Sequence, residues 1–253
     1  MKFMRETGLI FWSQLRANLR NPVWVLIGLS QPVLYLVLFG PLVKGIAPSL
    51  GADSDPWKLL TPALVIQTGL FGAIYVGFSI VAELRAGVVE RQRVTPASRG
   101  ALLTGRVLKD MVVLVVQALV LVGVAMAAFE VRPDPLGVVL SVLLIAVMAA
   151  GLAAASYALG LWAKSEDVLA SVLNSLAVPL MLLSGILLPL SVGPGWLRTI
   201  GKMNPFSHTV DAARVLFRGD FGASEVYLGT GLTLAVAAVA MLIGARSFTR
   251  ENA

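Results

Sequence analysis

Cysteine is absent, and histidine occurs once, at His208, in 253 residues. The first absence excludes disulfides, thiol catalysis and Cys-ligated metals, and the second leaves a His-based metal site short of ligands. Charge is scarce too: 13% of residues are Asp, Glu, Lys or Arg and 57% are hydrophobic, with mean hydropathy +0.85. A soluble domain carries about 25% charged and about 45–50% apolar residues, so this chain cannot cover a water-facing surface. No phosphate cradle is present either. The nearest approach to G-x-x-x-x-G-K-[ST] is Gly195…Gly201-Lys202-Met203, which has one residue too many, and Met203 cannot reach a metal as a hydroxyl would. The chain therefore has no ATPase site, and it binds neither metal nor nucleotide of its own.

What is present is long apolar runs. A hydrocarbon core of about 30 Å needs about 20 apolar residues as helix. Six stretches qualify, at roughly 23–43, 59–82, 111–129, 136–163, 168–188 and 226–245, and none contains Asp, Glu, Lys, Arg or His. A single charge at a span centre costs about 2.5–3.5 kcal/mol on insertion scales, so charge-free runs of this length read as membrane spans. No cleavable leader is expected, because the first apolar run begins only near Val23 after a mixed polar segment.

Six spans put both termini on one side. Of the 20 Lys and Arg residues, 13 fall on that side and 7 on the other, which makes the termini cytoplasmic in a plasma (inner) membrane. The net charge of +6 then reads as topology and attraction to anionic lipid, with no nucleic-acid role. Residues 6–20 form an amphipathic stretch: Phe11, Leu15 and Leu19 share a face beside Trp12, while Glu6, Ser13, Arg16 and Arg20 fall elsewhere. This predicts a helix lying in the cytoplasmic headgroup layer.

Between spans two and three, Glu83, Arg85, Glu90, Arg91 and Arg93 alternate in sign before Thr95-Pro96. Acids contribute little to orientation, so the mixture reads as a docking element for a cytoplasmic partner. Between spans five and six, Gly185, Pro189, Gly193-Pro194-Gly195 and Asn204-Pro205 punctuate an apolar segment. It predicts two short helices that re-enter or lie in the outer leaflet, with Val210, Ala213 and Phe217 on one face of the second. Ser207-His208 with Asp211 superficially offers a hydrolytic set, but adjacent helical residues point apart and no G-x-S-x-G elbow exists. No catalytic residue is assigned. The spans also lack the ionisable group a proton-coupled pump keeps at depth, so uphill transport needs energy from another subunit.

These segments resemble the ABC-2 type permeases, particularly the antibiotic-resistance subgroup typified by daunorubicin exporters. The likeness is carried by Glu83-Leu84-Arg85-Ala86-Gly87-Val88-Val89-Glu90-Arg91…Thr95-Pro96, by Leu183-Ser184-Gly185-Ile186-Leu187-Leu188-Pro189, and by Asn204-Pro205-Phe206…Val210-Asp211-Ala212-Ala213-Arg214. It covers nearly the whole chain in order and spacing. The resemblance implies an all-α integral membrane protein with six transmembrane helices: residues 1–22 as an amphipathic connecting helix and 23–250 as an ABC-2 type transmembrane domain. It implies a half-transporter, in which two permease chains, identical or sister, pair with two cytoplasmic ATPases that bind ATP and Mg. Residues 83–96 become the coupling helix, and Gly185, Pro189, Asn204, Pro205 and Arg214 belong to the outer re-entrant cap.

Polar residues inside the spans are candidates for the substrate path: Thr68, Tyr75 and Ser79 on one face of span two, and Ser171, Asn174 and Ser175 on span five. The same residue types also bond helices together. With no charge among them, the expected substrate is a neutral, lipophilic or amphipathic compound exported drug-like across the membrane. Alternatives are a permease for a lipid-linked glycan or polysaccharide, and a channel or non-transporting scaffold, although no charged ring or filter loop marks a channel.

Overall fold

The computed structural model describes residues 2–20, 23–46, 56–89, 98–190 and 193–251. Among these residues the regular elements are all helical: α1 (Lys2–Leu19), α2 (Val23–Ile46), α3 (Pro56–Tyr75), α4 (Gly77–Arg85), α5 (Arg99–Phe129), α6 (Pro135–Ala163), α7 (Glu166–Leu183), α8 (Gly195–Met203), α9 (Pro205–Phe217) and α10 (Ser224–Glu251). Six candidate spans result, one each from α2, α5, α6, α7 and α10 and one from α3 and α4 taken together.

The core is organised around α3 and α6. Leu60, Leu64, Ile66 and Leu70 of α3 and Ile145, Met148 and Tyr157 of α6 are enclosed. The α6 and α10 backbones come unusually close, because a side chain at Gly151 would sit 2.5 Å from the Cα of Ala237 and one at Gly244 would sit 2.5 Å from the carbonyl of Ala154. Lipid gives no hydrophobic drive between helices, so small residues that admit close packing hold them together. By contrast α7 and α10 bury only 17% of their apolar windows inside the chain, which leaves most of both helices to face lipid or another chain.

Span two is not one continuous helix. It breaks at Val76, and the hydroxyl of Ser156 on α6 fills the break, accepting from the Gly77 N–H at 2.9 Å and donating to the Ile74 carbonyl. Broken backbone at membrane depth persists only where such partners exist. Ser156→Ala is therefore expected to lower stability by about 1–2 kcal/mol, read as thermal unfolding of the purified chain in detergent. Ser171→Ala, whose hydroxyl bonds only within its own helix, should leave the transition unmoved.

Two expectations need correction. The third span starts at Arg99, not near residue 111, so residues 99–110 are helix rather than loop. Ser98 caps this helix, accepting from the Ala101 N–H at 3.3 Å. At about 1.5 Å per residue it is longer than the bilayer core requires, and α1 packs along the surplus. The fifth span ends at Leu183 rather than residue 188, because Ser184 to Leu190 turn back.

The amphipathic N-terminal helix is present as α1, but its face is set differently from the sequence pattern. Thr7 is buried, and Ile10 lies against Gly105 of α5, where a side chain would come within 2.8 Å of it. Phe11 and Leu15 are half-buried, whereas Met4, Leu9, Trp12 and Leu19 remain exposed, with the Arg16 guanidinium over the Trp12 ring at 5.2 Å. Glu6 ties α1 to the start of α5: the Ser98 backbone N–H donates to its carboxylate at 3.0 Å and holds that carboxyl below its usual range.

Candidate functional site

At the α1 end of the bundle, α4, α5 and α6 bring together a buried polar cluster. Arg106 of α5, 1% exposed, is ion-paired with Glu83 near the end of α4. One helical turn further along α5, Lys109 pairs with Asp110, and the Tyr157 hydroxyl of α6 donates to the other Asp110 oxygen. The Arg106 guanidinium also lies 5.9 Å from the Tyr157 ring centre. Two cations and two carboxylates thus cancel in place, which satisfies the rule that buried charges are paired. Sequence reading left Arg106 and Lys109 in the loop between spans two and three, so it missed this cluster.

Of the five residues assigned to the docking element, Glu83 and Arg85 are on α4, whereas Glu90, Arg91 and Arg93 lie outside the described residues. Arg85 reaches across to Glu166 at the start of α7, N to O 3.0 Å, with both side chains about half exposed. The end of α4 is therefore tied to α5 through Glu83 and to α7 through Arg85.

Deeper in the bundle the path candidates separate. Thr68 and Tyr75 line one cavity of about 300 Å³ between α2, α3 and α5. Ser79 does not; its hydroxyl turns back to the Val76 carbonyl at 2.7 Å. Ser171, Asn174 and Ser175 are exposed on α7, and the serine hydroxyls bond back to the Asp167 and Ser171 carbonyls. The Tyr75 hydroxyl donates to Asn174 Oδ1 at 3.1 Å, linking the two candidate faces. The same cavity is lined by Gln31, Gln67 and Gln117, which sequence reading passed over. The available signal was three amides near the middle of otherwise apolar spans.

At the opposite end, α8 and α9 form the expected pair of short helices. Asn204 caps α9 by accepting from the Phe206 N–H at 3.0 Å, with Pro205 at the first helical position. Val210, Ala213 and Phe217 are all buried. Arg214, 8% exposed, donates to the carbonyls of Leu59 at 3.3 Å, Gly185 at 2.7 Å and Ile186 at 3.4 Å. Gly185 adopts φ +71°, a left-handed conformation that glycine accepts without strain, and so turns the chain after α7 toward the arginine. Pro189 lies in the same returning segment. No hydrolytic set forms here: Ser207 donates to the Gly201 and Asn204 carbonyls, His208 Nε2 contacts the Lys202 carbonyl at 2.9 Å, and Asp211 pairs with Arg214.

The family model described as "ABC-2 type transporter" matches residues 5–217. The chain belongs to the ABC-2 type transporter family. The match runs from α1 through α9 and so takes in the α1–α5 contact, the polar cluster, the cavity and the short helices α8 and α9. Among curated relatives, the daunorubicin resistance ABC transporter permease protein DrrB1 of Streptomyces coeruleorubidus is 26% identical over 246 residues, covering 96% of this chain and 85% of that protein. The putative transport permease ycf38 of Cyanophora paradoxa is 24% identical over 206 residues, covering 78% and 69%. The probable doxorubicin resistance ABC transporter permease protein DrrC of Mycobacterium tuberculosis is 22% identical over 196 residues, covering 77% and 70%. The ABC-2 chain is thus a multi-pass membrane subunit of a transporter and not a member of a catalytic family. Membership implies association with an ABC ATPase and a dimeric permease.

Proposed function

We propose that this chain is the permease subunit of an ABC exporter that moves a hydrophobic or amphipathic, drug-like compound outward across the plasma (inner) membrane. Two permease chains work with two copies of a separate cytoplasmic ATPase, which binds the ATP and Mg. The observation that carries this reading is a cavity within the spans of an ABC-2 chain whose lining, among the described residues, holds amides, a threonine and a tyrosine but no charged side chain. A neutral or amphipathic compound can enter such a site from the bilayer without leaving a charge unpaired. Kinship to drug-resistance permeases over most of the chain points the same way.

In this reading both termini are cytoplasmic and α8 is external. Single cysteines at Ser13 and Thr199, both exposed, in a chain with no cysteine of its own, report the orientation. An impermeant maleimide should label Thr199→Cys in intact cells and Ser13→Cys only after permeabilisation; the reverse pattern would overturn the topology.

The Glu83–Arg93 segment docks on the ATPase. Breaking one side of a buried interface pair costs about 2–5 kcal/mol, whereas an exposed pair is worth about 0–1 kcal/mol. Glu90→Lys and Arg91→Glu should each abolish efflux and ATPase pull-down at unchanged membrane levels. Arg99→Glu, at the start of α5, should do less. Full efflux and full ATPase binding in both reversals would reduce the segment to a solvated loop.

A further inference from the structure

Helices α6 and α10 meet near their middles and part toward the end that carries α9. A side chain at Gly151 of α6 would sit 2.5 Å from the Ala237 Cα of α10, and both positions lie near the centres of Pro135–Ala163 and Ser224–Glu251. Toward the α9 end each helix is held against α9 instead. Gly137 abuts the Leu216 carbonyl and Gly229 the His208 carbonyl, both too closely for any side chain. So α9 bridges the two helices, and a wedge remains between them. The wedge is a groove of about 240 Å³ walled by Leu140, Leu143 and Val147 of α6 and by Val226, Thr230 and Leu234 of α10. Leu144 and Leu216, both buried, back it and belong to a small apolar cluster apart from the main core. Leu143 and Leu234 are each over half exposed, so the groove opens to the outside of the chain. Among the described residues Thr230 is the one polar side chain in its lining.

We infer that this groove holds one acyl chain of a phospholipid from the leaflet on the α9 side of the membrane. Its length fits. Val226 to Leu234 rises about 12 Å at about 1.5 Å per residue, within the roughly 15 Å that one leaflet gives to a hydrocarbon core of about 30 Å. The Gly151–Ala237 contact closes the groove near the middle of both spans. Its girth fits too. With carbon contacts at about 3.5–4.0 Å, a single hydrocarbon chain of that length fills on the order of 200 Å³. A helix from a second copy, about 10–12 Å across, would need on the order of 1,000 Å³. The eight lining residues also fall well short of the about 20–30 a side of a stable protein interface. A tail gains no hydrophobic drive over leucine in lipid. It gains contact, because walls around a void have no partner atoms to touch. The site is separate from the cavity between α2, α3 and α5, and it holds whether or not the chain exports a drug-like compound.

The full chain in phosphatidylcholine nanodiscs tests this without an ATPase. The probe is a phosphatidylcholine with a diazirine midway along one tail, photolysed in the disc and mapped by peptide mass spectrometry. Leu140 and Val147 are only partly exposed, yet they should carry adducts at least as often as Leu38 of α2, which is 59% exposed. Thr230→Phe puts a ring into the groove from the facing helix. Adducts on Leu140 and Val147 should then fall at least about fivefold, because the ring takes the space the tail would fill, while those on Leu38 stay unchanged. Adducts that simply follow exposure, with Leu143 and Leu234 labelled like Leu38 and the inner wall spared, overturn the site. So does a pattern that Thr230→Phe leaves unmoved. If Thr230→Phe does not fold, the ratio of inner-wall to Leu38 adducts on the unaltered chain decides alone. A second copy as occupant is read separately. Leu143→Cys, the sole cysteine in the chain, should give no disulfide-linked dimer with copper phenanthroline, and efficient linkage would assign the groove to a neighbouring permease instead.

Discussion

Arg106→Met is expected to cost about 3–5 kcal/mol of stability, the penalty for leaving one partner of a buried ion pair uncompensated. Glu83, which Arg106 pairs with, is itself largely enclosed, and the Arg106 side chain is almost wholly so. The double variant Glu83→Gln with Arg106→Met should recover most of the loss, because replacing both partners of a buried pair is often close to neutral. The double-mutant cycle, measured by thermal or denaturant unfolding in detergent, isolates the pair from the packing of the arginine stem. A double variant as unstable as the single would mean that Arg106 matters through its stem and its contact with Tyr157. Efflux adds a second reading. If the pair transmits ATPase movement from α4 into α5, the stable double variant should fold and insert yet transport poorly.

That cluster also marks where the sequence stopped being legible. The six spans could be read because each is a long apolar run, and nothing in the fold competes with bilayer burial for such a run. The short helices α8 and α9 were legible from Asn204-Pro205, a cap followed by proline at the first turn, and from the spacing of Val210, Ala213 and Phe217. The start of α5 was not legible, because Arg106, Lys109 and Asp110 look solvated until their partners are known. Those partners, Glu83 and Tyr157, come from other helices, and a charge cancelled across helices leaves no local signature. The break at Val76 was hidden for the same reason: its repair is supplied by Ser156, far along the chain on α6.

The candidate path was read in part. Polar residues on a helical face of α3 led to Thr68 and Tyr75, which do share a cavity. Periodicity on α3 alone carries Ser79 along with them, and only packing reveals that its hydroxyl turns away. The glutamines were passed over because an amide does not interrupt an apolar run as a charge does, and because Gln31, Gln67 and Gln117 converge only when three helices are assembled.

Arg214 carries the other large expected effect. Its guanidinium ties α9 to the start of α3 through Leu59 and to the turn after α7 through Gly185 and Ile186. Arg214→Leu leaves three carbonyls without their donor, at about 1–3 kcal/mol for each that stays dry, and a net loss of about 3–5 kcal/mol is expected. Arg214→Lys keeps the charge but loses the planar fork that reaches several carbonyls at once, so it should recover only about half. Thermal unfolding gives the totals but does not tell local opening from global loss. Ile186, 0% exposed, supplies that distinction when replaced by cysteine. With Arg214 in place, Ile186→Cys should resist a permeant maleimide. With Arg214→Leu it should react at least about tenfold faster at temperatures well below the unfolding transition, because even a few kcal/mol taken from the closed form raises the open population by that much or more. An unchanged rate would show that the turn after α7 is held by its own packing, and that the arginine stabilises α9 without closing this end of the bundle.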